Sequence, residues 1–461
     1  MEKKNFVQDA MQEVESLLKN AFAAAMQQGK LPENELPAFT VEIPAETTHG
    51  DFASNAAMVS ARTFRMAPVK IANILAECID CASARYIDRV EIAGPGFINF
   101  FVSDAWFASI VSGVLEAGEE YGRSDIGKGE KVMVEFVSAN PTGPMHMGNA
   151  RGGAIGDCLA AALDACGYDV TREFYINDAG NQIEKFGLSL EARYLQIYKG
   201  EDAVPFPEDG YHGEDIKERA QQYADEHGDC LLNLSEAERR QALVDFALPK
   251  NIEKLRTDLE KYRITYDVWF PESTLHQSGA VKAVVDELTS RGLTYEKDGA
   301  IWYKATEFGG EKDEVLVRAN GNPTYFTADI AYHKNKFVDR HFDRVINVWG
   351  ADHHGHVARL KGAMDAIGLD GSKLDIVLMQ LVRLMKDGEP YRMSKRTGKS
   401  ITLSDLTDLV PIDAARFFFN MREPNSTLDF DLDLAVEESS QNPVYYVQYA
   451  HARICSILKN L

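Results

Sequence analysis

KVMVEFVSANPTGPMHMGNARGGAIGDCLAAALDACGYDVTREFYIND, residues 131–178, decides the fold. VMVEFVS is an apolar, β-branched run of strand length, and ANPTGPMHMGN is a loop rich in Pro and Gly. ARGGAIGDCLAAALDACG is a helix of small residues that stops on Gly167, and YDVTREFYIND begins another strand. Strand, loop, helix and strand in this order make a βαβ unit of the doubly wound α/β kind. Its ligand site is expected in the crevice beyond the carboxyl ends of the parallel strands.

Upstream, residues 1–125 read as an independent α/β unit. It opens with an amphipathic helix, continues through the Pro-rich connection LPENELPAFTVEIP and contains RVEIAGPGFINFFVS as strand, turn and strand. The polar linker YGRSDIGKGE separates it from an α/β domain expected over 126–405. Within that domain, about 187–262 is strongly charged and helical, as an insertion between two halves. AIWYKA, RVINVWG and DIVLMQLVRLM return as strands, and from about 406 the pattern is helical to residue 461.

The chain of 461 residues is long enough for about three domains, each with its own core. No apolar run reaches the length of a membrane span, and charges interrupt the N-terminal stretch where a signal peptide would be apolar. A soluble, cytoplasmic protein without a membrane partner is expected. Six cysteines agree with a reducing compartment. Cys78 and Cys81 form a lone CxxC inside a predicted helix, with no second pair to complete a zinc site. The net charge of −22, from 49 Lys plus Arg against 71 Asp plus Glu, argues against a protein that coats nucleic acid nonspecifically. It leaves room for a local basic channel.

Two elements carry phosphate chemistry. Pro144-Met145-His146-Met147-Gly148-Asn149 joins a strand to a helix start, where backbone N–H groups and the helix dipole favour an anion. His146 and Asn149 are potential donors there, and Gly148 permits close backbone approach. A capped turn with a satisfied histidine is the plain alternative. RMSKRTGKSITL, residues 392–403, follows the apolar run DIVLMQLVRLM, and its Lys395 is a compact charge suited to phosphate. A Lys/Arg/Ser loop by itself is usually a solvated loop. The two elements together, at the ends of strands in one expected sheet, make coincidence the poorer explanation.

At these elements the chain resembles the class I aminoacyl-tRNA synthetases, whose ATP-binding signatures are HIGH and KMSK. Here they stand as His146-Met147-Gly148-Asn149 and Arg392-Met393-Ser394-Lys395. Asn149 replaces the last histidine and Arg392 the first lysine. VEFVSANPTGPMHMGNARG, YINDAGNQ, YDVWFPES, TYFTADIAYH and VWGADHHGH narrow the resemblance to the bacterial type of arginyl-tRNA synthetase. HGDFASNAA and GPGFINFF are similar to that family's N-terminal additional domain, which contacts the tRNA elbow.

The resemblance implies a Rossmann-like catalytic domain that activates L-arginine with ATP and Mg²⁺ and charges tRNA(Arg), as a monomer. It places His146, Asn149 and Lys395 in catalysis, and Gly148, Asp352, His356, Met393, Ser394 and Lys395 at ATP. Arginine falls to Glu135, Ser138, Asn140, His146, Glu272, Tyr325, Asp329 and His353. A guanidinium, planar and permanently charged, needs carboxylate acceptors, which the resemblance puts at Glu272 and Asp329. Asp329 alone would equally suit a helix-start carboxylate. The His353/His356 cluster suggests a metal at first sight, but no further ligand at suitable spacing completes a set, so no protein-bound metal is expected. In the resembled family the helices from about 406 open an anticodon-binding domain that continues further, so 406–461 is expected to hold only its beginning. The competing reading is another HIGH-type nucleotidyltransferase or ligase acting on a different small acid. A synthetase-derived RNA-binding protein without activity is a third, disfavoured because His146 and Lys395 are both present.

Overall fold

The computed structural model describes residues 5–391 and 401–460. The chain divides into two compact units between Asp125 and Ile126.

In the first unit, helix Phe6–Gln27 starts where the Asn5 side chain accepts the Gln8 N–H at 3.1 Å. Its Ala10, Val14, Leu18, Phe22 and Ala25 recur at three- and four-residue spacing and are fully buried. They share a core with Phe52, Ile98 and Phe100 of a four-stranded antiparallel sheet. Gly50, in HGDFASNAA, turns at φ 84°, and a Cβ there would lie 2.7 Å from the Phe100 carbonyl oxygen. The CxxC does not lie within one helix. The helix Pro68–Cys78 ends at Cys78, and Cys81 opens a single 3₁₀ turn.

The second unit is built on five parallel strands in the spatial order Leu374–Met379, Arg344–Gly350, Lys131–Glu135, Asp169–Ile176, Val268–Pro271. Chain order reverses direction between Lys131–Glu135 and Arg344–Gly350. That reversal marks the crevice where ligands bind in such sheets. Helix Met147–Ala165 packs closely on the central strand because of its glycines: a Cβ at Gly156 would stand 2.2 Å from Phe136 Cγ. On the same helix, fully buried Arg151 donates to the carbonyls of Gln380 (2.8 Å), Ser426 (2.9 Å) and Glu423 (3.0 Å). Helices Asn181–Lys199, Glu214–His227 and Glu236–Lys261 form a subdomain with its own core around Phe186, Tyr194, Ile216 and Leu243.

Three expectations need correction. DIVLMQLVRLM is two strands, Leu374–Met379 in the parallel sheet and Val382–Lys386 in a small separate one. The break falls at Gln380, whose N–H and carbonyl are taken by Pro424 and Arg151. Ala300–Tyr303 belongs to a three-stranded antiparallel sheet rather than the parallel one. The region after 406 is not wholly helical, because Leu428–Asp431 pairs in parallel with Val382–Lys386. Helix Pro443–Lys459 exposes Tyr446, Val447, Ile454 and Leu458. No helix among the described residues is long and apolar enough to cross a membrane.

Candidate active site

The exposed His146 caps the helix Met147–Ala165 at the carboxyl side of the sheet. Its backbone N–H donates to Asn149 Oδ1 at 3.0 Å, so Asn149 shapes its own loop with its carbonyl oxygen. The Asn149 amide nitrogen has no partner among the described residues and remains available as a donor. Among the described residues nothing lies within 4 Å of the place a Cβ of Gly148 would occupy. Packing among the described residues therefore does not demand a glycine here. Met147 N–H donates to Ile401 O at 3.0 Å and Leu403 N–H to Met145 O at 2.8 Å. The chain leaving the basic loop is thus paired to the histidine loop. Arg392, Met393, Ser394 and Lys395 themselves lie outside the described residues.

Beside this helix start, the central strand ends on Glu135 and turns sharply. Ser138 N–H reaches back to Phe136 O at 3.0 Å across Val137, which has φ 69°. A γ-turn centred on a β-branched residue at positive φ is strained by roughly 1–3 kcal/mol. Its product is the position of Ser138, whose hydroxyl donates to Glu135 Oε1 at 3.0 Å and accepts Tyr175 N–H at 3.1 Å. The other Glu135 oxygen receives Lys336 Nζ at 2.6 Å. Lys336 is completely buried in a short π-helical turn, Asn335–Asp339, and also donates to Asn347 Oδ1 at 3.2 Å. Burial holds the adjoining His333 ring well below the usual histidine range, and Lys336 adds to this. Asn140, further along the loop, is exposed with no hydrogen-bond partner among the described residues.

Tyr325 and Asp329 occupy the first and second turns of helix Tyr325–Lys334 and meet Glu272 at the end of the outer strand. Glu272 is 3% exposed, with its backbone N–H on Ile176 O and its carboxylate 3.2 Å from His276 Nε2. Burial pushes its carboxyl above the ordinary range, and the nearby Asp329 adds to that, while His276 and the Tyr175 hydroxyl oppose it. Burial together with the charges of Glu272 and Asp329 raises the Tyr175 phenol as well. The half-exposed Tyr325 phenol is raised by burial first and then by Glu272.

Asp329 accepts from His356 Nε2 at 2.8 Å. His356, expected at ATP, is buried against Asp329, with Arg359 Nε donating to its Nδ1 at 2.6 Å. Asp352 and His353 are exposed and 3.6 Å apart. The structure thus joins Glu272, Tyr325 and Asp329 in one group and Glu135 and Ser138 in another. Lys336 and Arg359 have no motif around them that would single them out in the sequence, and Tyr175 opens YINDAGNQ without anything there marking it as a neighbour of Glu272. Among the described residues no three His, Cys, Asp or Glu side chains gather to hold a metal ion.

The catalytic-domain model of the class I tRNA synthetases for arginine matches residues 110–455, and the arginyl-tRNA synthetase N-terminal domain matches 12–102. An arginine–tRNA ligase of Acetivibrio thermocellus is 59% identical over 457 residues, covering 99% of this chain and 81% of that protein. The chain belongs to the arginyl-tRNA synthetase family. Caldanaerobacter subterraneus has an arginine–tRNA ligase with the same identity and coverage. A solved Campylobacter jejuni chain assigned as an arginyl-tRNA synthetase shares 37% identity at a TM-score of 0.72, over 78% of this chain and 77% of that one. Thermus thermophilus arginyl-tRNA synthetase, at 20% identity and a TM-score of 0.66 over 96% of this chain and 81% of that one, shares the fold. His146–Asn149 and the Glu272–Asp329 group both lie inside the segment that matches the family's catalytic domain.

Proposed function

We propose that this chain activates L-arginine with ATP, releasing pyrophosphate, and passes the arginyl group to the 3′-terminal adenosine of tRNA(Arg). The observation that carries this reading is the Glu272–Asp329 pair. The two carboxylates stand close enough for Asp329 to raise Glu272, and neither has a lysine or arginine partner among the described residues. Such a pair suits a substrate that brings its own permanent, forked cation. Tyr325 flanks it.

In the first step the arginine carboxylate oxygen bonds to the α-phosphorus and the bond to pyrophosphate breaks. No enzyme nucleophile takes part, so the rate rests on positioning and on donors aimed at developing charge. His146, the Asn149 amide, the start of their helix and Lys395 are assigned to the phosphates. Met393, Ser394 and Asp352 are assigned to the nucleotide. Magnesium would arrive on the ATP phosphates and neutralise their charge, since the described residues supply no clustered ligand set of their own. Asn140, Ser138 and His353 are assigned to the α-carboxylate and ammonium of arginine. Glu135 has acceptor capacity left for the ammonium, because its oxygens hold only two of about four possible bonds. In the second step the terminal 2′-hydroxyl attacks the arginyl carbonyl and AMP leaves. A cytoplasmic monomer is the working form assigned.

ATP–pyrophosphate exchange with each of the twenty amino acids, with and without tRNA(Arg), tests the reading. Exchange with arginine alone, dependent on tRNA, is expected. Equal exchange with lysine would overturn it.

A further inference from the structure

We propose that Arg359 is a specificity-positioning residue: by donating to His356 Nδ1 it fixes the ring proton on Nε2, so that Asp329 faces arginine with one neutral donor behind it and its full negative charge. The inference rests on the reading of Glu272 and Asp329 as the guanidinium pocket.

An arginine Nε–H can only donate. At 2.6 Å from His356 Nδ1 it therefore requires a lone pair on that nitrogen, and the ring's single proton must sit on Nε2, 2.8 Å from Asp329 Oδ2. The other tautomer would set two N–H groups against each other and leave the Asp329 contact with no proton. A doubly protonated ring would also oppose Arg359 and would cancel the charge that Asp329 must offer the guanidinium. Arg359 is in turn held by Glu314, whose Oε1 accepts from its Nη1 at 3.0 Å. Glu314 comes from the antiparallel sheet and Asp329 from helix Tyr325–Lys334, so the chain of contacts spans three elements. The ring is also walled by Trp349, with centroids 5.4 Å apart, and by Phe326 edge-on at 5.8 Å. The other charged neighbour acting on this region is the buried Lys336 next to His333, which itself feels His356. Asp329 Oδ1 has no donor among the described residues, which leaves it for the incoming guanidinium. Arg359 thus acts without touching substrate: it selects the tautomer that makes the histidine a support for Asp329 instead of a competing cation.

Two measurements test this on the full chain. Two-bond proton–nitrogen correlation spectra of ¹⁵N-histidine-labelled protein, with His356 assigned by its loss in His356→Gln, should show a protonated Nε2 and an unprotonated Nδ1. A proton on Nδ1, alone or with Nε2, overturns the proposal even if arginine-dependent exchange is intact. In pyrophosphate exchange with tRNA, Arg359→Met should raise the KM for arginine about tenfold or more while kcat stays within about threefold and the KM for ATP is unchanged. A fall in kcat with arginine KM unchanged, or an equal rise in ATP KM, would mean that Arg359 only supports the fold. Absence of arginine-dependent exchange in the parent protein would remove the functional reading and leave the tautomer result to stand by itself.

Discussion

Four acids on or beside the same parallel sheet are partnered in two different ways. Glu135 and Glu173 are almost completely buried, and each holds a cation of this chain: Lys336 at 2.6 Å and Arg340 at 2.5 Å. The titratable basic partners of Glu272 and Asp329 among the described residues are histidines, His276 and His356, and the two acids lie close enough for Asp329 to oppose the ionisation of Glu272. Glu173 completes an ion pair that the fold makes for itself, and the Glu135–Lys336 pair does the same while leaving the acceptor capacity assigned above to the substrate ammonium. The second two leave negative charge unspent beside Tyr325, which is 41% exposed. An acid whose charge the fold neutralises and an acid left to a ligand can thus be distinguished by what faces them, as the two buried glutamates Glu173 and Glu272 show.

The largest effect that would sharpen this contrast concerns folding. Glu135→Met strands the buried charge of Lys336 and is expected to cost about 3–5 kcal/mol in denaturant unfolding, whereas Glu135→Met with Lys336→Met should recover most of it. If the single variant were as stable as the parent, the pairing would not be structural.

Asp329→Ala belongs to the other class, so its loss should appear in binding. Arginine affinity measured by titration should fall by about a hundredfold or more while ATP affinity and unfolding change little. An affinity within threefold of the parent would make Asp329 an ordinary helix-start carboxylate.

Smaller, and opposite in sign to the first, is the effect at Glu272. Its folded carboxyl is raised by burial. Below the ordinary glutamate range, about pH 4.3, both folded and unfolded states are protonated and nothing is lost. As pH rises through that range the unfolded chain ionises first, so folding stability declines until the raised folded value is passed. Glu272→Gln should therefore be as stable as the parent or slightly more stable at neutral pH. Arginine binding needs the ionised form, so in the parent it should weaken on acidification at a higher pH than an ordinary glutamate would allow, and that limb should vanish in Glu272→Gln. Titrations across pH 5–8 read both.

What the sequence discloses of this arrangement follows the range over which each signal acts. The strand–loop–helix–strand unit at 131–178 is legible because periodicity and the Gly167 stop are local, and the parallel sheet follows from it. The split at Gln380 is invisible, since both halves of DIVLMQLVRLM are apolar and only the distant Arg151 and Pro424 decide where the strand ends. Leu428–Asp431 is missed for the same reason: four residues among helices become a strand because Val382–Lys386 presents an edge to them. At the site, Tyr325 and Asp329 can be placed together by helical spacing alone. Glu272 joins them only through the tertiary fold. Lys336 meets Glu135 across 201 positions, and nothing near it in sequence announces a buried lysine. In Ala-Asp-His-His-Gly-His, composition marks a cluster but cannot tell which ring points inward. The structure turns His356 toward Asp329 and leaves His353 exposed.

The distinction between the two kinds of acid is tested most directly by comparing arginine with citrulline, whose uncharged urea group has nearly the guanidinium's shape, in calorimetric titration of the protein with tRNA bound. Arginine should bind at least about a hundredfold more tightly than citrulline, with the preference largely lost in Glu272→Gln combined with Asp329→Asn. Affinities within threefold of each other in the parent protein would contradict a pocket that reads charge.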